Sequence, residues 1–112
     1  MLTFVKQLGQ AAPVNTTAAT LYTRPQNTTA YLDQLFVCNV TGGAVTCRIF
    51  YDDDGATYSV GTALYYDKSV AANDTLLIDL KIGMDTANGT VGVQTGTADA
   101  LTFTLFGEES PL

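Results

Sequence analysis

At 112 residues the chain has the length of one domain and can bury roughly two-thirds of the surface it exposes when unfolded, so a second domain is not expected. Its net charge of −6, with basic residues scattered at Lys6, Arg24, Arg48, Lys68 and Lys81, excludes the clustered positive surface of a nucleic-acid binder. The sequence has no apolar run long enough to span a bilayer and no signal-length apolar stretch in MLTFVKQLGQ, so it is expected neither to cross a membrane nor to enter the secretory route, and to be made in the cytoplasm.

Eighteen Thr, six Tyr and five Phe make a β-forming mixture, poor in the residues that fill helices. The first strand is expected at 2–7 (LTFVKQ), followed by 8–17, an extended N-terminal arm whose Pro13 and polar residues suit a connection that reaches a neighbour. ATLYT (19–23) is stopped by Pro25, and the long run from Thr29 to Val40 has room for a bulge or a change of sheet. VTCRIFY (45–51) follows the Gly42-Gly43 turn, two short runs (57–60 and 62–67) flank Gly61, and TLLIDL (75–80) follows the turn AAND. KIGMDT (81–86) has room for one helical turn, and TVGVQT (90–95) and ALTFTLF (100–106) close the chain. The expectation is an all-β fold over 1–112: a single-domain antiparallel β-sandwich, jelly-roll or immunoglobulin-like, of about eight strands.

The hairpin LFVCNV-TGGA-VTCRIF fixes a register. If Gly42 and Gly43 form a two-residue turn, which demands positive φ angles, Cys38 faces Cys47 as a cross-strand pair at a spacing that permits a disulfide. In a reducing compartment the two remain core thiols; without His they cannot complete a zinc site. The same register puts Phe36, Val40, Val45, Ile49 and Tyr51 on the core face, with Leu76, Ile78, Leu80, Leu101, Phe103 and Leu105 inward on later strands. Leu35, Val37, Phe50, Leu77 and Phe106 then point outward. Either loops of the same chain cover them or they form an interface with another subunit.

Little in the sequence points to chemistry. With no His, Ser59, Ser69 and Ser110 have no usual base to activate them, so catalytic residues are not expected. Asp52-Asp53-Asp54-Gly55 resembles the start of a calcium loop, but the chain continues as ATYSVGT without the closing acid, so a solvated turn is expected rather than a metal site. No phosphate-binding glycine loop and no other cofactor site is evident. Tyr65-Tyr66 has the character of a stacking platform but fits sheet packing better. All five Asn fall in N-x-T triplets, which in a Thr-rich chain reflects composition.

The segments LGQAAPVNTTAATLYT (8–23), FVCNVTGG (36–43), ALYYDKSVAANDTL (63–76) and LFGEE (105–109), in this order and spacing, resemble a family of small virion proteins encoded by tailed bacteriophages. The resemblance covers nearly the whole chain. It implies a non-enzymatic structural protein of the particle, decorating or cementing the capsid through the major capsid protein or other virion subunits, or else a tail or tail-tip component with an assembly or receptor-binding role. It brings no catalytic residues. A homo-oligomer follows from the outward apolar residues, and a trimer from the threefold positions that shells offer.

Overall fold

The computed structural model describes residues 4–85 and 88–111. Eight strands follow one another: β1 (Lys6–Ala11), β2 (Ala19–Thr23), β3 (Thr28–Asn39), β4 (Val45–Asp52), β5 (Ala63–Val70), β6 (Thr75–Met84), β7 (Thr90–Thr95) and β8 (Leu101–Pro111), with a 3-10 turn at Val60–Thr62 before β5. They form two four-stranded antiparallel sheets, ordered β1-β8-β3-β6 and β2-β7-β4-β5. Every connection except β4–β5 passes from one sheet to the other. This interleaving is the jelly-roll arrangement of a β-sandwich, the first of the two architectures expected.

The strands at 19–23 and 90–95 lie where the sequence places them. Others shift, and the run 57–60 forms no strand. The first strand runs 6–11, not 2–7, because Lys6 to Ala11 pair along β8; residues 2 and 3 lie outside the described residues. Of the stretch 8–17, Leu8 to Ala11 therefore belong to the sheet, and the remainder is tied down where Asp99 N–H donates to Pro13 O at 3.1 Å and Gln94 Nε2 to Thr16 O at 2.8 Å. Residues 81–84 continue β6 rather than turning into a helix, and Thr86 lies outside the described residues.

The largest correction concerns Gly42-Gly43. Strands β3 and β4 belong to different sheets, so the segment between them is a corner and not a hairpin. No described glycine has a positive φ, which removes the backbone that a tight two-residue hairpin turn requires. The corner is built around Asn39, 1% exposed. Its Nδ2 donates to the carbonyls of Gly43, Val70 and Ala71 at 2.9, 3.1 and 3.2 Å, and its Oδ1 accepts from Thr41 N–H and Oγ1 at 2.9 and 2.8 Å. One amide thus satisfies backbone at both the β3–β4 and β5–β6 crossings, where bare carbonyls would be costly.

Without the hairpin, the facing of β3 reverses. Leu35 and Val37 are fully buried, Phe36 is half-buried on the outer face, and Val40 is 60% exposed. Asp33 is an extra residue against β8, where Leu32 pairs with Gly107 and Gln34 with Phe106, and this bulge lets Leu32 and Leu35 both point inward although they are an odd number of residues apart. Along β4 and β8, and from Leu76 to Leu80 of β6, simple alternation holds. Val45, Ile49, Ile78, Leu101, Phe103 and Leu105 are buried, and Tyr51, Leu76 and Leu80 pack against them from the margin.

At the end of the sandwich opposite Asn39, Tyr22 of β2 donates to Glu109 of β8 at 2.6 Å, and Lys6 of β1 pairs with the same carboxylate at 3.1 Å. The Tyr22 hydrogen bond, followed by Lys6, holds the Glu109 carboxyl below its ordinary range against the opposing effect of burial. Burial and Glu109 together raise the Tyr22 phenol.

Two outcomes follow. Truncating buried Leu35 to Ala should cost about 2–5 kcal/mol by denaturant unfolding, whereas Val40→Ala should change stability by less than ~0.5 kcal/mol; the reverse order would restore the hairpin register. A carboxyl whose pKa is lowered in the folded state contributes stability above its unfolded value, ~4.3, and that contribution is lost as pH falls through the folded value. Unfolding midpoints should therefore drop more on acidification for wild type than for Glu109→Gln, and parallel acid limbs would show that this tie carries no charge-dependent stability.

Candidate functional site

The residues expected to face outward separate into two groups. Leu35 and Val37 are core, as the corner at Asn39 dictates. Phe50 does point away from the core, yet it is only 2% exposed because its own chain covers it. Tyr58 stacks on Phe50 with ring centroids 5.6 Å apart, and its hydroxyl lies 2.7 Å from Thr20 Oγ1 and donates to Thr90 Oγ1 at 2.8 Å. The ring rests on Gly92, where a Cβ would sit 2.6 Å from it. Only glycine allows this approach.

The acidic cluster is what sets Tyr58 in place. Asp52 accepts the backbone N–H of Thr57 at 2.8 Å and of Asp54 at 3.2 Å, which closes the turn just ahead of Tyr58. Those two N–H groups hold the Asp52 carboxyl below the ordinary carboxylate range, while the hydrogen bond with Asp52 and its charge hold Asp54 above it. The carboxylates of Asp52, Asp53 and Asp54 lie within 4.8 Å of one another, and Asp53 and Asp54 are exposed. The asparagines also have local work: Asn27, Asn73 and Asn88 adopt φ of 56°, 55° and 67°, the left-handed turn geometry Asn tolerates.

Leu77 and Phe106 remain outward and the structure brings them together. Phe36 of β3 lies opposite Leu77 of β6 and opposite Thr104 of β8. Phe106 meets Phe36 edge-on at 5.5 Å. Leu77 is 49% exposed. The outer face of the β1-β8-β3-β6 sheet thus carries a small apolar centre, of which the sequence supplied two members and wrongly placed a third, Phe36, inside. A second exposed set, Val60, Leu64 and Tyr66, lies before and along the edge strand β5 and was not anticipated. Alternation along ALYY was the available signal for Leu64 and Tyr66.

Cys38 and Cys47 are not cross-strand partners. Cys38 pairs with Thr75 and Thr102 in one sheet, and Cys47 with Lys68 and Thr95 in the other. Packed sheets lie ~10 Å apart, beyond the reach of a disulfide. Both thiols are free, and burial pushes Cys47 up to about 11, partly countered by Lys68.

A polar cleft of about 200 Å³ opens on the outer face of the β2-β7-β4-β5 sheet, between Arg48, Asp67, Gln94 and Thr16. Arg48 Nε donates to Asp67 Oδ1 at 2.8 Å, and its guanidinium lies 3.9 Å over the Tyr66 ring. Gln94 is spent on Thr16 O. These groups hold one another. Of the basic side chains, Lys6, Arg48 and Lys81 pair with Glu109, Asp67 and Asp33, and buried Arg24 donates to Thr28 O. No helix among the described residues is long and apolar enough to cross a membrane.

No protein-family model and no characterised protein sequence matches this chain. Among solved structures, the fold is similar to that of a chain in the structure of infectious bursal disease virus Gx strain, with a TM-score of 0.54 and 15% identity over 96% of this chain. This chain spans 32% of the length of that viral chain. Weaker likenesses run to the cyanophage Pam1 capsid asymmetric unit (TM-score 0.45, 15% identity, 96% of this chain and 83% of that one) and to infectious bursal disease virus Gt strain (TM-score 0.43, 12% identity, 96% and 28%). At these identities the likeness is one of fold.

Exposure of the thiols provides a direct check. In dilute native protein an alkylating reagent should modify Cys38 and leave Cys47 intact until denaturant is added. Mild oxidation should give no intrachain bond by intact mass; an efficient Cys38–Cys47 bond in folded protein would put β3 and β4 back in one sheet.

Proposed function

We propose that this chain is a non-enzymatic structural protein of a bacteriophage particle, decorating or cementing the capsid by binding coat subunits. The observation that carries the reading is the interleaved jelly roll, similar over nearly its whole length to part of a chain in a virus structure. The ordered motifs from LGQAAP to LFGEE support the phage assignment. Surface chemistry supports a role in assembly: apolar side chains stand exposed at Leu77 on one sheet and at Val60, Leu64 and Tyr66 beside the other, while the polar cleft is closed by its own ion pair. Its place is the virion, with coat or other virion subunits as partners.

Quantitative mass spectrometry of purified particles tests this reading. Copies in the hundreds, scaling with the coat protein, are expected of a shell component. A small multiple of three or six would move the protein to the tail, and its absence from washed particles would remove it from the virion altogether.

A further inference from the structure

We propose that the outer face of the β1-β8-β3-β6 sheet is the surface on which a second copy of this chain docks. The inference rests on the face itself and stands apart from the particle reading. Its centre is the cluster of Phe36, Phe106 and Leu77, bordered by uncharged Thr104, Cys38 and Gln10. From the row of Cys38, Thr75 and Thr102 to the row of Gln34, Asp79 and Phe106, Asp79 is the one charged outward side chain among the described residues, and it accepts the Gln34 amide at 3.1 Å.

Charge selects the occupant. The chain carries −6, so most approaches between two copies are repulsive. An oppositely charged partner would find almost no charge to recognise on this face, whereas a second copy presents the same neutral face in return. A face that meets itself closes about a two-fold axis. With that axis across the strands, each Asp79 falls against the partner's Cys38–Thr75 end rather than against the other Asp79. The unit is then a dimer, not the trimer that shell symmetry suggests.

Size sets its strength. Four strands ~4.8 Å apart, and the five residues of ~3.4 Å from Gln34 to Cys38, give a neutral face of about 330 Å². Two such faces bury about 650 Å², the size of a weak contact that fills only as concentration rises. The chain leaves this face open: Leu77 is 49% exposed, while the equivalent apolar residue of the other sheet, Phe50, is covered to 2% by the Tyr58 segment.

Sedimentation equilibrium and light scattering on the full chain over a wide concentration range test the proposal. Wild type should pass from monomer to dimer as concentration rises. Leu77→Asp, at an exposed edge-strand position where folding does not depend on the side chain, should weaken dimerisation by at least ~10-fold. Leu64→Asp, similarly exposed on the other sheet, should leave the dimer intact. In wild type alone, Cys38 alkylation should slow as concentration rises through the dimer range, while Cys47 stays unreactive throughout. A wild type that is monomeric at millimolar concentration or that forms a trimer would overturn the proposal. So would a dimer that survives Leu77→Asp or is broken by Leu64→Asp, or Cys38 reactivity independent of concentration. Particle copy number answers the other question separately: a dimer absent from virions keeps this face and removes the phage role.

Discussion

The fold turns on a buried amide. At Asn39 the chain leaves one sheet for the other. The Asn39 side chain, itself buried, donates to the carbonyls of Gly43, Val70 and Ala71 and accepts from Thr41, and its bond to Val70 is shut off from water. A buried polar group left without a partner costs ~1–3 kcal/mol, so an amide set where these partners converge joins two crossings as a hydrophobic residue of the same size could not. Once this corner is set, β3 must present Leu35 and Val37 to the core, and Phe36 is left outside. The apolar centre on the outer face of this sheet is therefore a consequence of the turn.

The other sheet is handled differently. Its outer face would carry Phe50 into water, but the Asp52 turn brings Tyr58 over it and Gly92 leaves room for the ring. Two residues with chemical character, Asp52 and Tyr58, thus serve to cover a phenylalanine. The guanidinium and carboxylate of the cleft beside it neutralise each other. Of the exposed apolar side chains, Tyr31, Leu64, Tyr66 and Leu77 lie on strands, and Phe4, Val5, Val14, Val40 and Val60 on the segments before and between them.

Much of this was legible in residue order. The β-rich composition and turn punctuation give the strand count, and alternation alone places Ile49, Ile78, Leu101, Phe103 and Leu105 correctly. Sequence could not show that Gly42-Gly43 spans two sheets, because that depends on β8 and β6 flanking β3, pairings made with residues more than thirty positions away. The same error misassigned Cys38 and Cys47 and inverted Phe36 and Leu35. Local cues carry no information about which sheet a strand joins. Of the residues expected to face outward, Leu77 and Phe106 do so because β6 and β8 alternate without reference to that turn, whereas Phe50 is hidden by a cover whose only sequence trace is one tyrosine six residues after Asp52.

Electron cryomicroscopy of purified particles addresses the central claim, that this sandwich acts through its outward sheet surfaces as part of a virion. The expected map contains an eight-stranded jelly roll, 44 × 28 × 20 Å, seated on the particle with exposed apolar residues such as Leu77 or Leu64 covered by neighbouring subunits. A particle without it, or one that grips it only through the Arg48–Asp67 cleft while Leu77 and Leu64 both face solvent, would contradict the account.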